Sequence, residues 1–461
     1  MNQCKSFYSH SFSGDSNMCF GLEIVKSSLR QHGFSVENWN DTFKIKEDEK
    51  LLLSLYWGEQ IYDLIKWRKE YNIKRESIIA GGIVCSTNPA SVLPFVDRCY
   101  IGDADDWNGV DETQFAEKGI LKSIKNCCLT PMAYEDLQKN RRSFCEISRG
   151  CKNKCFFCQY SWLKPYRELD YVDIVEVIKR SSTKSMRIYS ADKMAHSQYA
   201  EIKSYLKGVG KNDTGVDVTM KSILKNPELL RLNRRLRLGV EGMSEYLRTL
   251  INKPISDNQI IELCENLKRY EFKAMDWYMI YGLPGENESD WQAFKNLLIK
   301  MDKCFKGHPF LLAIHWNAFS AKPMTPLQWA GCAIDYPIEL GKTLRDFRID
   351  MRVYHKPMMT GNSLLIRRGL VNRAGEKSAK LIYNMAVKSN LKNNAQFIQD
   401  EFRKVEGFEM MGLVADDNQF PWDSYVDYDK DKLLKIWQKV KENLISSGRN
   451  IEHIKAVKLN G

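Results

Sequence analysis

Residues 151–158 read CKNKCFFC and follow directly on the strand-like run SFCEISR, residues 143–149. Cys151, Cys155 and Cys158 thus place three thiols within eight residues of loop. A loop of this kind wraps one metal centre. At this spacing three thiolates can hold three irons of a 4Fe–4S cluster and leave the fourth iron open to another ligand. A zinc site is the competing reading, and its tetrahedron would need a fourth ligand from Cys145 or a distant His. The chain has thirteen cysteines. Its opening residues, MNQCKSFYSHSFSGD, lack a basic segment followed by an apolar stretch, so no secretory signal is expected. No run approaches the ~18 apolar residues of a membrane helix. A cytoplasmic, reducing location with no membrane partner is therefore expected, where close cysteines point to metal rather than to disulfides. The scattered Cys4, Cys19, Cys85, Cys99, Cys264, Cys304 and Cys332 suit small apolar core positions. Cys127 and Cys128 are adjacent, which is poor spacing for a second cluster.

From residue 144 to about 331 the pattern alternates. Strand candidates are SFCEISR, SMRIYSA (185–191), VDVTM (216–220), RLRLGVE (235–241), AMDWYMIYG (274–282) and FLLAIHWNAF (310–319). Helical periodicity separates them over 172–180, 198–206, 227–232, 244–251, 257–270 and 288–305. Six such units predict a partial parallel (β/α)6 barrel, with its chemistry at the carboxyl ends of the strands. Residues 1–140 alternate as well: KSFYSHSF, a helix to Gly33, LLLSLYW, a helix over 58–71, SIIAGG and DRCYIGDADD. That pattern predicts a separate Rossmann-like parallel sheet, making the chain α/β, with ligands beyond the strand ends. Ser54, Gly81, Gly82, Ser86, Thr87 and Gly102 fall at that edge. Residues 332–461 read as a helical C-terminal region ending in the amphipathic DKDKLLKIWQKVKENLISS.

The three-cysteine spacing is similar to the signature of the radical S-adenosylmethionine (SAM) superfamily, and other segments support the likeness. The resemblance implies that SAM chelates the open iron and is cleaved to methionine and a 5′-deoxyadenosyl radical that abstracts hydrogen from the substrate. Phe157 stands where that family packs on adenine. Gly239-Val240-Glu241 ends a strand where a polar residue meets the SAM ribose and methionine, and Lys253 stands where a basic group meets the SAM carboxylate. The run from Tyr278 to Glu286 resembles the stretch whose backbone binds adenine, with Ile280, Gly282 and Gly285 at its marked positions. A flavodoxin- or ferredoxin-like reductase is implied as electron donor.

Further segments look like the branch with an N-terminal cobalamin-binding domain: Ser148 to Cys151, Tyr166 to Glu168, Asn317 to Pro326, Arg367 to Gly369 and Phe420 to Asp423. That branch implies methyl transfer from cobalamin to an unactivated carbon. One departure stands out. The D-x-H-x-x-G motif that supplies an axial His is replaced by Asp15-Ser-Asn17-Met-Cys-Phe-Gly21, with no His and one extra residue. His10 and His32 lie nearby but off the motif position. Cobalamin without a protein ligand, and a retained scaffold without cobalamin, both fit.

Tyr189, Asp192, His315 and Tyr354 are candidate catalytic or substrate-contacting residues at the barrel mouth, with His196 and Trp316 beside them. The substrate class stays open among small molecule, peptide and nucleic acid. A net charge of +11, densest over residues 139–154, motivates the alternative of a nucleoside- or base-modifying enzyme performing rearrangement or oxidation. Methylthiolation of tRNA, a narrower version, would need a second cluster whose N-terminal cysteine spacing is missing. A metal-stabilised nucleic-acid-binding protein is the non-enzyme alternative, and it leaves Glu241 and the 282–286 turn without a role.

Overall fold

The computed structural model describes residues 6–10, 12, 19–40, 45–136, 142–214, 218–228, 235–333, 349–359, 362–388 and 412–449. Leu51, Leu52, Leu53 and Leu55 of the run LLLSLYW are buried, so the strand is covered on both faces as a central parallel strand requires, while Tyr56 and Trp57 beyond its end are exposed. It lies in a five-stranded, all-parallel sheet built from β1 (Ser6–His10), β2 (Ser35–Asn38), β3 (Glu49–Ser54), β4 (Ile78–Gly81) and β5 (Arg98–Cys99), in the order β2-β1-β3-β4-β5. Helix α1 (Phe20–Gln31) packs on one face through Leu22 and Leu29. On the other face, α2 (Gln60–Glu70) buries Ile61, Leu64 and Ile65. The chain reverses its order across the sheet between β1 and β3, so a crevice opens beyond their carboxyl ends.

Two further sheets follow. The first is mixed: β6 (Ala133–Asp136) runs antiparallel to β7 (Arg142–Glu146), which pairs in parallel with β8 (Ser185–Tyr189), and β8 with β9 (Asn212–Asp213). The second is parallel throughout, in the order β10 (Arg235–Glu241), β11 (Ala274–Tyr281), β12 (Leu311–Ala318) and β13 (Arg352–Met359). No hydrogen bond joins the two sheets among the described residues. Helix α3 (Asp257–Arg269) starts at a Ser256–Gln259 capping box, and α4 (Glu288–Cys304) at an Asn287–Asp290 box. These boxes satisfy the first amide groups of each helix immediately after its loop. Among the described residues no helix is long and apolar enough to cross a membrane.

Two expectations are corrected. The strand expected over 216–220 is displaced to Asn212–Asp213, and residues 215–217 lie outside the described ones. Val218 and Thr219 suit a strand, but the Thr219 hydroxyl accepts the Ser222 amide at 3.3 Å and caps a short helix over Met220–Lys225 instead. The region read as helical from 332 onward contributes β13, which extends the second four-stranded sheet past residue 331. Its sequence, RVYHKPMM, gives little apolar alternation to read. Most of the helix expected over 227–232 also lies outside the described residues.

The C-terminal region ties the units together. Helix α5 (Asn362–Arg373) lies against α2: Arg368 pairs with Glu59, with Nε at 2.8 Å, and Tyr62 donates to the Arg367 carbonyl at 3.3 Å. The buried Asn88 side chain donates to the carbonyls of Val371 and Ala374, both at 2.9 Å, at the end of α5. Helix α6 (Lys430–Ser446) buries Leu433, Trp437, Val440 and Leu444.

Replacing Asn88 with Ala strips two buried carbonyls of their donor, so urea melts of Asn88→Ala should show a loss of about 1–3 kcal/mol. A midpoint unchanged from wild type would mean that α5 holds the N-terminal sheet through its apolar contacts alone.

Candidate active site

The cysteine loop begins where β7 ends. Ser148–Arg149 pairs antiparallel with Arg167–Glu168, so residues 150–166 form a loop closed by a two-stranded stem. Gly150 makes the turn at φ +82°, and a Cβ there would stand 2.4 Å from the Pro165 carbonyl oxygen. Its amide donates to the Tyr160 hydroxyl at 3.1 Å. Inside the loop, Trp162 Nε1 and the Cys158 amide donate to the Cys155 carbonyl at 2.9 and 3.2 Å. Outside it, the Phe156 amide donates to Ile251, Asn252 Nδ2 to the Lys154 carbonyl, and the Leu327 amide to Phe156. The loop is therefore fastened to the segments that follow β10 and β12.

Cys155 is buried, while Cys151 and Cys158 are half-buried. Burial pushes the Cys151 thiol up and the Cys155 thiol to about 12; neighbouring thiols add to this, and Lys253 opposes it at Cys155. A metal ion must displace these protons, so loading releases acid and favours higher pH. The thiols are not gathered at ligand distance, and no group of three His, Cys, Asp or Glu does so among the described residues. Cys145, the candidate fourth zinc ligand, is a residue of β7 itself and is buried in the core.

The segments after β10 and β11 frame the loop. A bulge between Gly239 and Glu241 shifts the register with β11 and leaves Glu241 at φ +71°. Lys253 Nζ lies 3.1 Å from Glu241 Oε1, and that pair lies across Gly239, where a side chain would collide with both. Phe157 and Ile280 are half-buried against the core. Gly282 and Gly285 turn at positive φ, and the C-terminal helix covers that turn: Leu444 packs on Gly285, and Arg449 donates to the Gly285 carbonyl at 2.9 Å and to Asp290 at 2.5 Å.

A cavity of about 590 Å³ opens between the N-terminal sheet and the first strands of the mixed sheet. Ser54, Gly81, Gly82 and Gly102 line it, together with Arg187 and Tyr189 of β8. Ser86 and Thr87 do not: the Ser86 hydroxyl joins the Gly82 carbonyl to the Gly102 amide, and the Thr87 hydroxyl donates to Ile83. Two observations bear on cobalamin. A Cβ on Gly81 would meet only Tyr100, at 3.9 Å, so the floor is open, and aromatic rings of Phe20, Tyr56, Trp57 and Trp107 form walls suited to a large macrocycle. No His lines the cavity among the described residues; His10 stacks on Trp67 at 4.6 Å, and burial lowers its pKa to about 4. His32 is held by the Ser28 carbonyl at 2.9 Å. Residues 13–18, which include Asp15 and Asn17, lie outside the described ones. The described lining thus fits a corrin held without a protein imidazole.

Between cavity and cysteine loop lies a lattice of charge that sequence reading missed. Arg149 makes a bidentate pair with Asp105, both contacts 2.8 Å, bonds Glu146 at 2.6 and 3.0 Å, and lies 3.1 Å from Asp103. Asp103 also accepts from Lys164 and Arg167. Burial works to raise the Asp103 pKa, but Lys164 and Arg149 outweigh it and hold the carboxyl below its usual range. The only advance signal was the acidic cluster Asp103, Asp105 and Asp106 just beyond β5.

The candidate catalytic residues divide. Asp192 is buried beyond β8, within electrostatic reach of Cys151; one oxygen accepts from Thr219 and Ser222 at 2.6 Å, and the other has no partner among the described residues. Tyr189 faces the cavity. His315 bonds Asp276 at 2.8 Å and stacks on Tyr278, while Tyr354 is exposed on β13. His196 Nε2 donates to the Leu169 carbonyl and its Nδ1 accepts from the Gln198 amide, and Trp316 is core. Lys322 was also missed. Its segment is fastened to the loop by Gln159 Nε2 on the Pro323 carbonyl at 3.2 Å, and burial lowers its pKa although Cys158 opposes the shift.

Comparison with known proteins follows the same residues. Residues 145–298 match the radical SAM superfamily. An uncharacterised protein of Methanocaldococcus jannaschii is 24% identical over 323 residues, covering 62% of this chain and 71% of that protein. The solved structure of the cobalamin-dependent SAM radical enzyme OxsB with aqua-cobalamin aligns over 96% of this chain and 80% of that one, at 12% identity and a TM-score of 0.48. Coproporphyrinogen III oxidase of Escherichia coli, a radical SAM enzyme, aligns over 42% and 45%, at 16% identity and a TM-score of 0.29.

Two outcomes are expected. Gly150→Ala should lower the iron retained after anaerobic reconstitution while far-ultraviolet circular dichroism stays unchanged, because the clash displaces the loop and not the sheets. Asp103→Asn should destabilise the fold at neutral pH by about 3–5 kcal/mol by leaving Arg149 and its neighbours undercompensated. The Asp103 contribution is complete above the ordinary carboxylate range and is lost as pH falls below it, since the folded pKa is the lower one. Melting curves from neutral to acid pH should therefore converge for the two proteins.

Proposed function

We propose, on the premise that this chain is a radical SAM enzyme, that it binds cobalamin at the N-terminal sheet and methylates an unactivated carbon of its substrate. The observation that carries this reading is the shared cavity, whose floor is the glycine edge of β4 and whose opposite wall is the end of β8, near the cysteine loop. When bound, a 4Fe–4S cluster with SAM supplies a deoxyadenosyl radical that takes a hydrogen atom from the substrate, and cobalamin supplies a methyl group. The residues of the chain hold and orient. Cys151, Cys155 and Cys158 would hold three irons, and Lys253 and Glu241 present a charge pair to the methionine end of SAM. Phe157, Ile280 and the 282–285 turn would bracket adenine. Tyr189 and Asp192 stand on the substrate side, and the Asp103–Arg149 lattice keeps water from the joint between the two sites.

The nucleoside-modifying alternative drew on the basic run before the cluster. Its described members are largely engaged within the protein: Arg142 lies over Phe144, Arg149 is in the lattice, and Lys152 donates to the Ala195 carbonyl at 2.8 Å. That favours the methyl-transfer reading. The non-enzyme alternative falls with the family match.

The test is anaerobic reconstitution with iron, sulfide and cobalamin, followed by absorption spectra and chromatography for 5′-deoxyadenosine with SAM and dithionite. Broad cluster absorption and deoxyadenosine, both lost in Cys155→Ala, are expected. Gly81→Phe should fill the cavity and weaken cobalamin binding at least about tenfold, ~1.4 kcal/mol, while leaving the iron content unchanged. Zinc in place of iron would overturn the radical reading, and no corrin bands after reconstitution would favour rearrangement or oxidation.

A further inference from the structure

One buried carboxylate ties together the two segments that would hold SAM. Asp290, in the first turn of α4, has no exposed side-chain surface. Its Oδ2 accepts the Asn287 amide at 2.9 Å, just beyond the turn of Gly282 and Gly285. Its Oδ1 accepts the hydroxyl of Ser244, which follows Glu241 in the loop after β10 and caps the short helix Glu245–Leu250. Arg449, beyond the end of α6, joins the two. Its Nη1 and Nη2 meet the oxygens of Asp290 at 2.5 and 3.1 Å, and Nη1 also donates to the Gly285 carbonyl at 2.9 Å. The guanidinium carbon stands 4.0 Å from the ring centre of Tyr246, whose hydroxyl is 2.8 Å from the Ser447 hydroxyl. Local bonds shape the turn itself: the Glu286 carboxylate accepts the Leu283 amide at 3.2 Å, and the Glu286 amide donates to the Leu283 carbonyl at 3.0 Å. They do not fix where the turn lies relative to Glu241. Among the described residues, Arg449 makes the hydrogen bond that reaches the backbone of 282–285 from a distant segment. A planar guanidinium can fork onto a carboxylate and still donate to a carbonyl, a geometry that a lysine ammonium holds less firmly.

We infer that Arg449 and Asp290 are positioning residues for SAM: together they clamp the turn on the adenine side against the Glu241 loop on the methionine side. This rests on the reading above that those two segments hold SAM. Neither residue touches the reacting atoms. Their effect is on the fraction of molecules in which both halves of the site stand at the right separation. Apparent affinity falls in proportion to that fraction, so loss of the clamp weakens SAM binding and leaves the bound state, once formed, with its ordinary reactivity.

The experiment uses the reconstituted full-length enzyme. Equilibrium dialysis gives the Kd for SAM and for 5′-deoxyadenosine, and initial rates of deoxyadenosine formation with dithionite give KM and kcat for SAM. Arg449→Ala should raise the Kd and KM for SAM about tenfold, ~1.4 kcal/mol, with kcat and iron content little changed. Binding of 5′-deoxyadenosine, which carries the adenine, should weaken in step. Arg449→Lys keeps a cation on the buried carboxylate and so should fold even if the alanine variant does not; it should bind SAM with an affinity between wild type and Arg449→Ala. A fall in kcat and iron content at unchanged KM would mean that Arg449 supports the fold alone, and would overturn the clamp. So would a lysine variant that binds SAM as tightly as wild type. Wild-type enzyme that carries a full cluster yet binds no SAM would overturn the SAM reading itself.

Discussion

The ion-pair lattice centred on Asp103 and Arg149 is the constraint on which the rest of the structure depends. It lies where the loop leaving β5 meets the stem of the cysteine loop, so it fixes the position of the N-terminal sheet against that loop. Its members are almost wholly buried. Buried ions of this kind add little stability over apolar packing, but they tolerate few alternative geometries. Between the cavity and the cysteine loop, what such a lattice supplies is fixed geometry rather than extra stability. Apolar contact alone would let the sheets slide; three cations converging on Asp103, one of them also held by Asp105 and Glu146, do not.

Much of the fold could be read from periodicity. The strands at 185–189, 235–241, 274–281 and 311–318 fall where the apolar runs are: the last two are buried nearly throughout, as inner strands of a parallel sheet are, and the first two alternate buried with more open positions. What failed to register was set by partners distant in the chain. β13 carries His, Lys and Pro and becomes a strand because the edge of β12 is available to it. Thr219 was drawn to a helix cap rather than a ladder. Likewise, the cysteines, Glu241 and the glycine turn announced themselves through spacing, whereas Asp103 and Lys322 acquire meaning only from what the fold brings beside them.

The cavity illustrates how backbone and side chain share a task. The glycines of β4 keep the floor low, and Ser86, expected to face the ligand, instead stitches Gly82 to Gly102 and holds that floor in place. Its hydroxyl acts on the shape of the cavity without lining it. The same division holds at Gly239, where the missing side chain is what lets Glu241 and Lys253 approach one another.

The short parallel pairing of Lys122–Ser123 with Val426–Asp427 has a consequence for the order of assembly. It joins residues 304 positions apart. At ~5–20 residues per second, a ribosome takes on the order of 15–60 s to make the intervening chain. The cysteine loop is made early in that interval, and α6, which covers the Gly285 turn, only after it closes. The loop and the turn beside it therefore exist for most of that time without the helix that packs on them, and docking of α6 can only follow.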